Sequence, residues 1–521
     1  MPPPDLDNVG EAAVGERTAE GSRWMAWARA AFALRWWVLA LLIYCVVMRH
    51  LQNIDPAQPT KLRFAKHAWF SGIGAVSLAA LAQFARRTIS DRLAMLTAWL
   101  LSLGFLGLMV HHVVVSHVVR GKWMSVIHVL AIAALGCASL AYPLFSAGRL
   151  RACVAFLVAA IGALLLARGF VLLASPHPWI DVFTLAKEAA AAFWRGENPY
   201  AADYGNLYQG TGLDLGYSPG YNYFPAMLIV NSLSAGLLYD VRTAYVLAEG
   251  LCALFLMRNA RALGWSQTTA WAIALVWCAN SLSFQIVEKW NDSLPLAAMF
   301  ATLAMLAERR FVWAGVAFGL GCATKQYVPL AALPLLVWLW KSEPFLQVKR
   351  FVLASGAAFL LVCAPFLLNQ PDWFLHRALF HFANTPFRGD SMSIINGLKM
   401  WLGFPAESRV IAISPFVGLG LGMTCALLVV WQARRQPAAA SGERAAEMHR
   451  LLSALLIVWA AFFHSIKQSH LNYHYFYFSL CSLLLFSMVQ RKASGTTERA
   501  ALVDSDGRRE ADVHAAVAGA R

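Results

Sequence analysis

An all-α fold, a polytopic transmembrane helix bundle of about 11 to 14 membrane segments, is the class this sequence predicts, on three observations. Hydrophobic residues fill 59% of 521 positions and charged ones 14%, with a mean hydropathy of +0.54, well outside the range of soluble domains. Apolar runs recur at close to the ~20 residues that cross a bilayer as helix. None of them alternates with the two-residue period of a barrel strand.

In chain order, residues 1–23 form a polar tail with no apolar core, so the first span is expected to act as its own insertion signal. Four runs follow within residues 24–149: Trp36 to Met48, His67 to Ala85, Leu93 to Val115 and Trp123 to Phe145. A second section, residues 150–490, opens with Ala152 to Ala174 and then a polar, aromatic, proline-bearing loop over 175–222. Phe224 to Leu238 and Ala244 to Leu256 are both apolar, yet a single crossing fits between that loop and Arg258, so one of them is a half-helix or re-entrant piece buried in protein. Phe311 to Thr324 and Tyr327 to Trp340 are short spans that meet at Lys325, and Phe351 to Leu368 and Val410 to Trp431 are further spans. Residues 491–521 read as a second disordered tail.

The formal net charge is +15. The basic residues sit in short loops and tails rather than on one face, which fits the positive-inside rule and gives no reason to expect nucleic acid. Placing clusters such as Arg86/Arg87/Arg92, Arg149/Arg151, Arg258/Arg261, Arg309/Arg310 and Lys341/Lys349/Arg350 in the cytoplasm gathers residues 175–222, 284–292, 369–405 and 466–473 on the outer face. Lys61/Arg63/Lys66 and Arg120/Lys122 run against that orientation. The nine cysteines are scattered without CxxC spacing and read as small hydrophobes. No loop is large enough for a soluble catalytic domain.

Within the first outer loop, Val182, Leu185, Ala186, Ala189 and Phe193 follow helical spacing, with Thr184, Lys187, Glu188 and Arg195 opposite, predicting an amphipathic helix along the membrane surface. It stops at Gly196, and Asn198-Pro199 turns the chain. Asp181 stands where this helix starts. One reading is an N-cap; the other is a general base that takes a proton from an acceptor hydroxyl. Arg168 lies inside the preceding span, either snorkelling outward or placed under an anionic substrate.

The acid after a span, the helix ending Arg195-Gly196-Glu197-Asn198-Pro199-Tyr200, and Tyr217-Ser218-Pro219-Gly220-Tyr221-Asn222-Tyr223-Phe224-Pro225 leading into an apolar helix together resemble the glycosyltransferase-C superfamily. The likeness is closest to the polyprenyl-phosphate-mannose-dependent alpha-mannosyltransferases of glycosyltransferase family 87. Glu288-Lys289-Trp290-Asn291-Asp292 and Gly319-Leu320-Gly321-Cys322-Ala323-Thr324-Lys325-Gln326 extend it over roughly residues 150–490. Departures are Phe224-Pro225 where the family commonly has Pro-Pro, Glu288-Lys289-Trp290-Asn291 where it has Gly-Gln-x-Asn, and the four preceding spans.

The resemblance implies an inverting transferase that moves a single sugar, mannose, from a polyprenyl-phosphate donor to a glycan or glycolipid acceptor on the outer side of a bacterial cytoplasmic membrane. Asp181 would be its base. Negative charge growing on the leaving phosphate calls for fixed cations, with Lys325 first, then Arg388 and Lys289, and Arg168 below. Asn291 and Asp292 are either helix caps or, with Glu288 and Asn198, partners for sugar or acceptor hydroxyls. Tyr200, Tyr217, Tyr221 and Tyr223 suit an interfacial belt or stacking on a sugar. His381, Asn384, Arg388, Asp390, Ser391 and Asn396 would cover the acceptor. No cofactor and no metal site are expected, since no Asp-x-Asp adjoins Asp181. Two rival classes share the features: a transporter or flippase of lipid-linked or small anionic substrates, and a ligase or polymerase of lipid-linked glycans.

Overall fold

The computed structural model describes residues 37–47, 74, 77–78, 87–113, 150–178, 180–205, 220–280, 282–381, 391–403, 405, 409–432 and 441–491. The run Trp123 to Phe145, most of His67 to Ala85 and both tails lie outside these residues. What is described is an all-α bundle, with one short parallel pair of strands, β1 (Arg87–Ile89) and β2 (Val489–Arg491).

The first helices are α1 (Trp37–Val47), α2 (Asp91–Val113) and α3 (Leu150–Ala174). α4 (Asp181–Trp194) is the surface helix expected from its spacing: Leu185, Ala186 and Ala189 are buried and Lys187 and Glu188 exposed. Gly196, with φ +75°, ends it in the left-handed region that favours glycine.

Next come α5 (Pro225–Leu238) and α6 (Thr243–Ala262), which settle which of two apolar runs fails to cross. At the start of α5, the Phe224 and Ala226 amides donate to the Thr324 and Ala323 carbonyls, at 3.1 and 2.9 Å. Just past its end, Arg242 donates to the carbonyls of Ser175 (2.7 Å) and Leu172 (3.4 Å), at the mouth of α3. Both ends of α5 therefore lie at one face of the bundle. α4 lies along it, the Trp194 indole donating to the Ser232 carbonyl at 2.8 Å. α6 runs from that face to Arg258 and Arg261, where Arg258 pairs with Glu308 at the far end of the bundle.

The core is built by α7 (Gln267–Cys278), α8 (Leu282–Lys289), α9 (Ser293–Ala307), α10 (Phe311–Cys322), a 3-10 turn (Val328–Ala331) and α11 (Ala332–Ser342). α12 (Phe345–Asn369), α13 (Pro371–Leu375), a π-turn (His376–Phe380), α14 (Ile394–Leu402), α15 (Arg409–Trp431), α16 (Ser441–Ser465) and α17 (Leu471–Ser487) complete it. By length and apolarity α12, α15 and α16 can each span a bilayer; α16 is largely enclosed, while α12 and α15 face outward. Trp277 packs edge-on against Phe300 at 5.8 Å and lies 5.4 Å from Tyr475, joining α7, α9 and α17. The Trp459 indole of α16 donates to the Tyr327 carbonyl at 3.0 Å and so fixes the 3-10 turn. The described cysteines are all free thiols.

Candidate active site

Pro176 and Pro178, which have no amide hydrogen to donate, follow the end of α3, and Ile180 (φ −153°, ψ 140°) is the residue that caps α4, without a side-chain bond. Asp181 is thus the first helical residue rather than the cap. Its Oδ1 accepts from the Val182 amide at 2.8 Å, and the residue remains partly exposed at the helix N-terminus, where the helix dipole favours a negative charge.

After Gly196, the Asn198 side chain accepts from the Tyr200 amide at 2.9 Å and donates to Gln370 at 2.5 Å. This turn drives Tyr200 inward. Tyr200 is fully buried, donates to the Tyr223 carbonyl at 2.9 Å, and is enclosed by Tyr221, Phe366 and Phe374 at ring separations of 5.2 to 5.7 Å. Tyr221 is buried against Tyr223 at 5.6 Å. The tyrosines expected at a belt or against a sugar thus form a packed aromatic wedge, with Tyr223 at its inner edge. Tyr217 lies outside the described residues.

Behind the wedge sits a buried ion pair. Asp292 stands at the start of α9, yet its carboxylate makes no cap bond there. Instead Oδ1 accepts from Lys325 Nζ (2.8 Å) and Tyr327 Oη (2.6 Å), and Oδ2 from Asn472 Nδ2 (2.8 Å). The Lys325 ammonium also lies 5.2 to 5.7 Å from the ring centres of Tyr223, Tyr327 and Tyr473. Such a setting stabilises the cation through the ring quadrupoles as well as the carboxylate. Lys325 is consequently a neutralised cation, not a surplus charge at the surface.

A second pair lies deeper. Arg168 donates to the Leu164 and Cys278 carbonyls, both at 2.9 Å, and its Nε is 4.0 Å from Glu249 Oε2, with neither side chain exposed. Glu249 Oε1 accepts from Ser293 Oγ (2.5 Å) and Tyr475 Oη (2.6 Å). Ser293 follows Asp292, and Tyr475 is one turn from Asn472 on α17, so the two ion pairs rest on the same two helices. Arg168 is held seven residues below Ser175, about 10 Å at 1.5 Å per residue, by carbonyls and a carboxylate of the bundle interior.

Three backbone segments close on the first pair. Gln326 donates through Nε2 to the carbonyls of Asn222 and, at 2.7 Å, Ala378, which clamps the Tyr221–Pro225 stretch and the π-turn to Lys325's own segment. Tyr223 lies within the electrostatic reach of both Asp181 and Asp292; burial, then these carboxylates, push its hydroxyl well above the ordinary tyrosine range. Val182, next to Asp181, packs against the aromatic cluster that holds Tyr223, and the Lys325 ammonium lies 5.2 Å from the Tyr223 ring, so the acid and the ion pair flank one cluster.

Asn291, beside this pair, is wholly buried, and neither of its amide atoms has a hydrogen-bond partner among the described residues. Lys289 ends α8, half-buried, and Glu288 lies in the same helix turn. Arg388, Asn384 and Asp390 lie outside the described residues. Of the rest of that loop, Ser391 Oγ accepts from the Ser469 amide at 2.9 Å and Asn396 Nδ2 donates to the Ser391 carbonyl at 2.7 Å. His381 is buried near Arg377, and burial followed by that guanidinium push its pKa down to about 4. Glu249, Tyr327, Asn472 and Tyr475 escaped the sequence reading. For Glu249 a signal existed, a carboxylate inside an apolar run; the other three are ordinary residues until their partners are known.

Comparison with known proteins gives one family: residues 180–385, about two-fifths of the chain, match the family model described as ALG3 protein. The matched stretch begins beside Asp181 and contains both Asp292 and Lys325. No curated protein and no solved structure gives a significant match. The match is to ALG3 and not to family 87, and what the two likenesses share is the coarser activity. This chain is a membrane-embedded glycosyltransferase, an enzyme of the mannosyltransferase kind that draws on a lipid-linked sugar donor.

Proposed function

We propose that the chain transfers one mannosyl residue from a polyprenyl-phosphate donor to an acceptor hydroxyl, with inversion at the anomeric carbon, at the outer face of the membrane. Asp181 takes the hydroxyl proton as the acceptor oxygen forms its bond to the anomeric carbon. The bond from that carbon to the phosphate oxygen breaks on the opposite side, and the polyprenyl phosphate leaves with the electron pair.

The observation that carries this reading is an aromatic cluster flanked by the two charged centres: Val182, next to Asp181, packs against the cluster that holds Tyr223, and Tyr223 lies 5.2 Å from the Lys325 ammonium. A partly exposed acid is thereby set near a buried ion pair, a difference in environment that suits a base meeting solvent-side hydroxyls. α4, buried along one side and charged along the other, gives the acid a surface position where a lipid donor and a polar acceptor meet. Asn291, buried and with no amide partner among the described residues, is the group best suited to sugar hydroxyls.

The test is incubation of the purified protein in lipid with polyprenyl phosphate carrying labelled mannose and an acceptor panel. A single added residue of inverted anomeric configuration supports the reading. Transfer of a whole glycan supports the ligase alternative, and translocation of the donor with no new bond supports the flippase.

A further inference from the structure

The face of the bundle opposite Asp292 carries a second built feature. α9 runs 15 residues from Asp292, a rise of about 22 Å, and ends at Glu308-Arg309-Arg310. There a cleft of about 380 Å³ opens between the starts of α10 and α12, lined by Arg309, Arg310, Trp313, Gln347 and Arg350 among others. Its walls are fixed by close helix packing. Gly315 of α10 lies against the Phe351 carbonyl of α12, and Gly319 against that of Ser355, with no room for a Cβ at either. Both contacts advance in the same direction, so the two helices are parallel, and their starts stand side by side.

The charge here is lopsided. Arg309 pairs with Glu343 at 2.8 Å, while Glu308 is shared between Arg258 at 2.5 Å and Arg310 at 3.4 Å. Arg350 donates to the Gln347 amide oxygen at 3.3 Å and has no carboxylate partner among the described residues. Counting Arg261 and Lys349 beside them, six cations face two carboxylates, and Arg310 remains 58% exposed by side chain. Directly adjoining the cleft, Val312, Trp313, Phe345 and Leu346 present an exposed apolar surface, Phe345 at 75% and Trp313 at 64%. A guanidinium-lined notch with lipid-facing aromatics at its rim matches a phosphodiester headgroup with its acyl chains running alongside the helices. A zwitterionic headgroup brings its own cation against these arginines, so the net charge favours an anionic one.

We propose that this cleft is a binding site for an anionic phospholipid, its headgroup phosphate held by Arg310 and Arg350 and its chains against Val312, Trp313, Phe345 and Leu346. The site is separate from the transfer site, and its test does not depend on activity. Full-length protein, purified in detergent and stripped of lipid, is offered equimolar phosphatidylglycerol and phosphatidylcholine, and the retained lipids are counted by native mass spectrometry. Several-fold preference for phosphatidylglycerol is expected, falling to parity in Arg310→Gln/Arg350→Gln and partly kept in Arg310→Lys/Arg350→Lys. No preference in the unaltered protein, or an unchanged preference in the glutamine variant, overturns the proposal. So does loss of the preference on adding excess inorganic phosphate, which would make the cleft a site for free anions. Should the double variant fail to fold, Arg350→Gln alone carries the test, because Arg350 holds no carboxylate in place.

Discussion

Lys325 and Asp292 meet at 2.8 Å with 3% and 0% of their side chains exposed, so the ammonium beside Tyr223 is neutralised before any donor arrives. A donor phosphate can gain from Lys325 only by sharing it with Asp292. The pair ties the start of α9 to the turn after α10 and to α17.

Removing one member alone strands the other in the interior. Asp292→Leu is expected to lower stability by about 3–5 kcal/mol, the cost of an uncompensated buried charge. The double change Asp292→Leu/Lys325→Met, which leaves no charge behind, should recover much of that loss. Denaturant unfolding in detergent for the two single variants and the double gives the coupling energy. Additive losses would show that the two groups act independently.

Asp181 accepts from the neighbouring Val182 amide through Oδ1 at 2.8 Å, and the residue is partly exposed at the start of α4. Asp181→Asn keeps the shape and the acceptor for that amide. Thermal unfolding is therefore expected to move little, while turnover falls by roughly 10²–10⁴-fold, the usual contribution of a positioned base. Wild-type turnover in this variant would take the proton-acceptor role away from Asp181.

How much of this was legible beforehand depends on the range of the interaction. α4 could be read to within a residue or two, because its apolar face and its Gly196 stop are local signals. The count of crossings required one of two apolar runs to stay on one face, yet the choice of α5 rests on bonds from Phe224 to Thr324 and from Arg242 to Ser175, far apart in sequence. Lys325 was expected at the outer lip as an available cation. Its neutralisation was invisible, since Asp292 is 33 residues away and Asn472 a further 180 from Asp292. The burial of the tyrosines was hidden for a related reason: an aromatic next to a span reads as a belt residue, whereas the Asn198 turn directs Tyr200 inward and Tyr221 packs against it from a separate segment.

The packing of α10 on α12 offers a check on the fold itself. Alanine at Gly319 would place a Cβ against the Ser355 carbonyl, which is backbone and cannot rotate aside. Gly319→Ala is expected to cost about 1–3 kcal/mol, as overpacking of a close contact does, in spite of alanine's better helix propensity. Gly356→Ala on α12, where nothing lies within 4 Å, should be neutral or slightly stabilising. Equal midpoints for the two variants in thermal unfolding would mean the helices do not meet there.

Asn291 separates recognition from stability. A buried amide with neither polar atom bonded among the described residues costs the resting protein free energy, on the order of 1–3 kcal/mol for the desolvated group. Asn291→Leu, with the same branched side-chain skeleton and without polar atoms, is therefore expected to unfold at the same temperature or higher. If the amide is reserved for sugar hydroxyls, the same change should lower kcat/KM by roughly 3–10-fold or more, the worth of one or two hydrogen bonds. A merely structural asparagine gives the opposite pairing, lower stability with transfer unaltered once corrected for folded protein. Measuring unfolding and steady-state transfer on the same preparation distinguishes the two, because a role in holding the donor sugar predicts that stability and activity move in opposite directions.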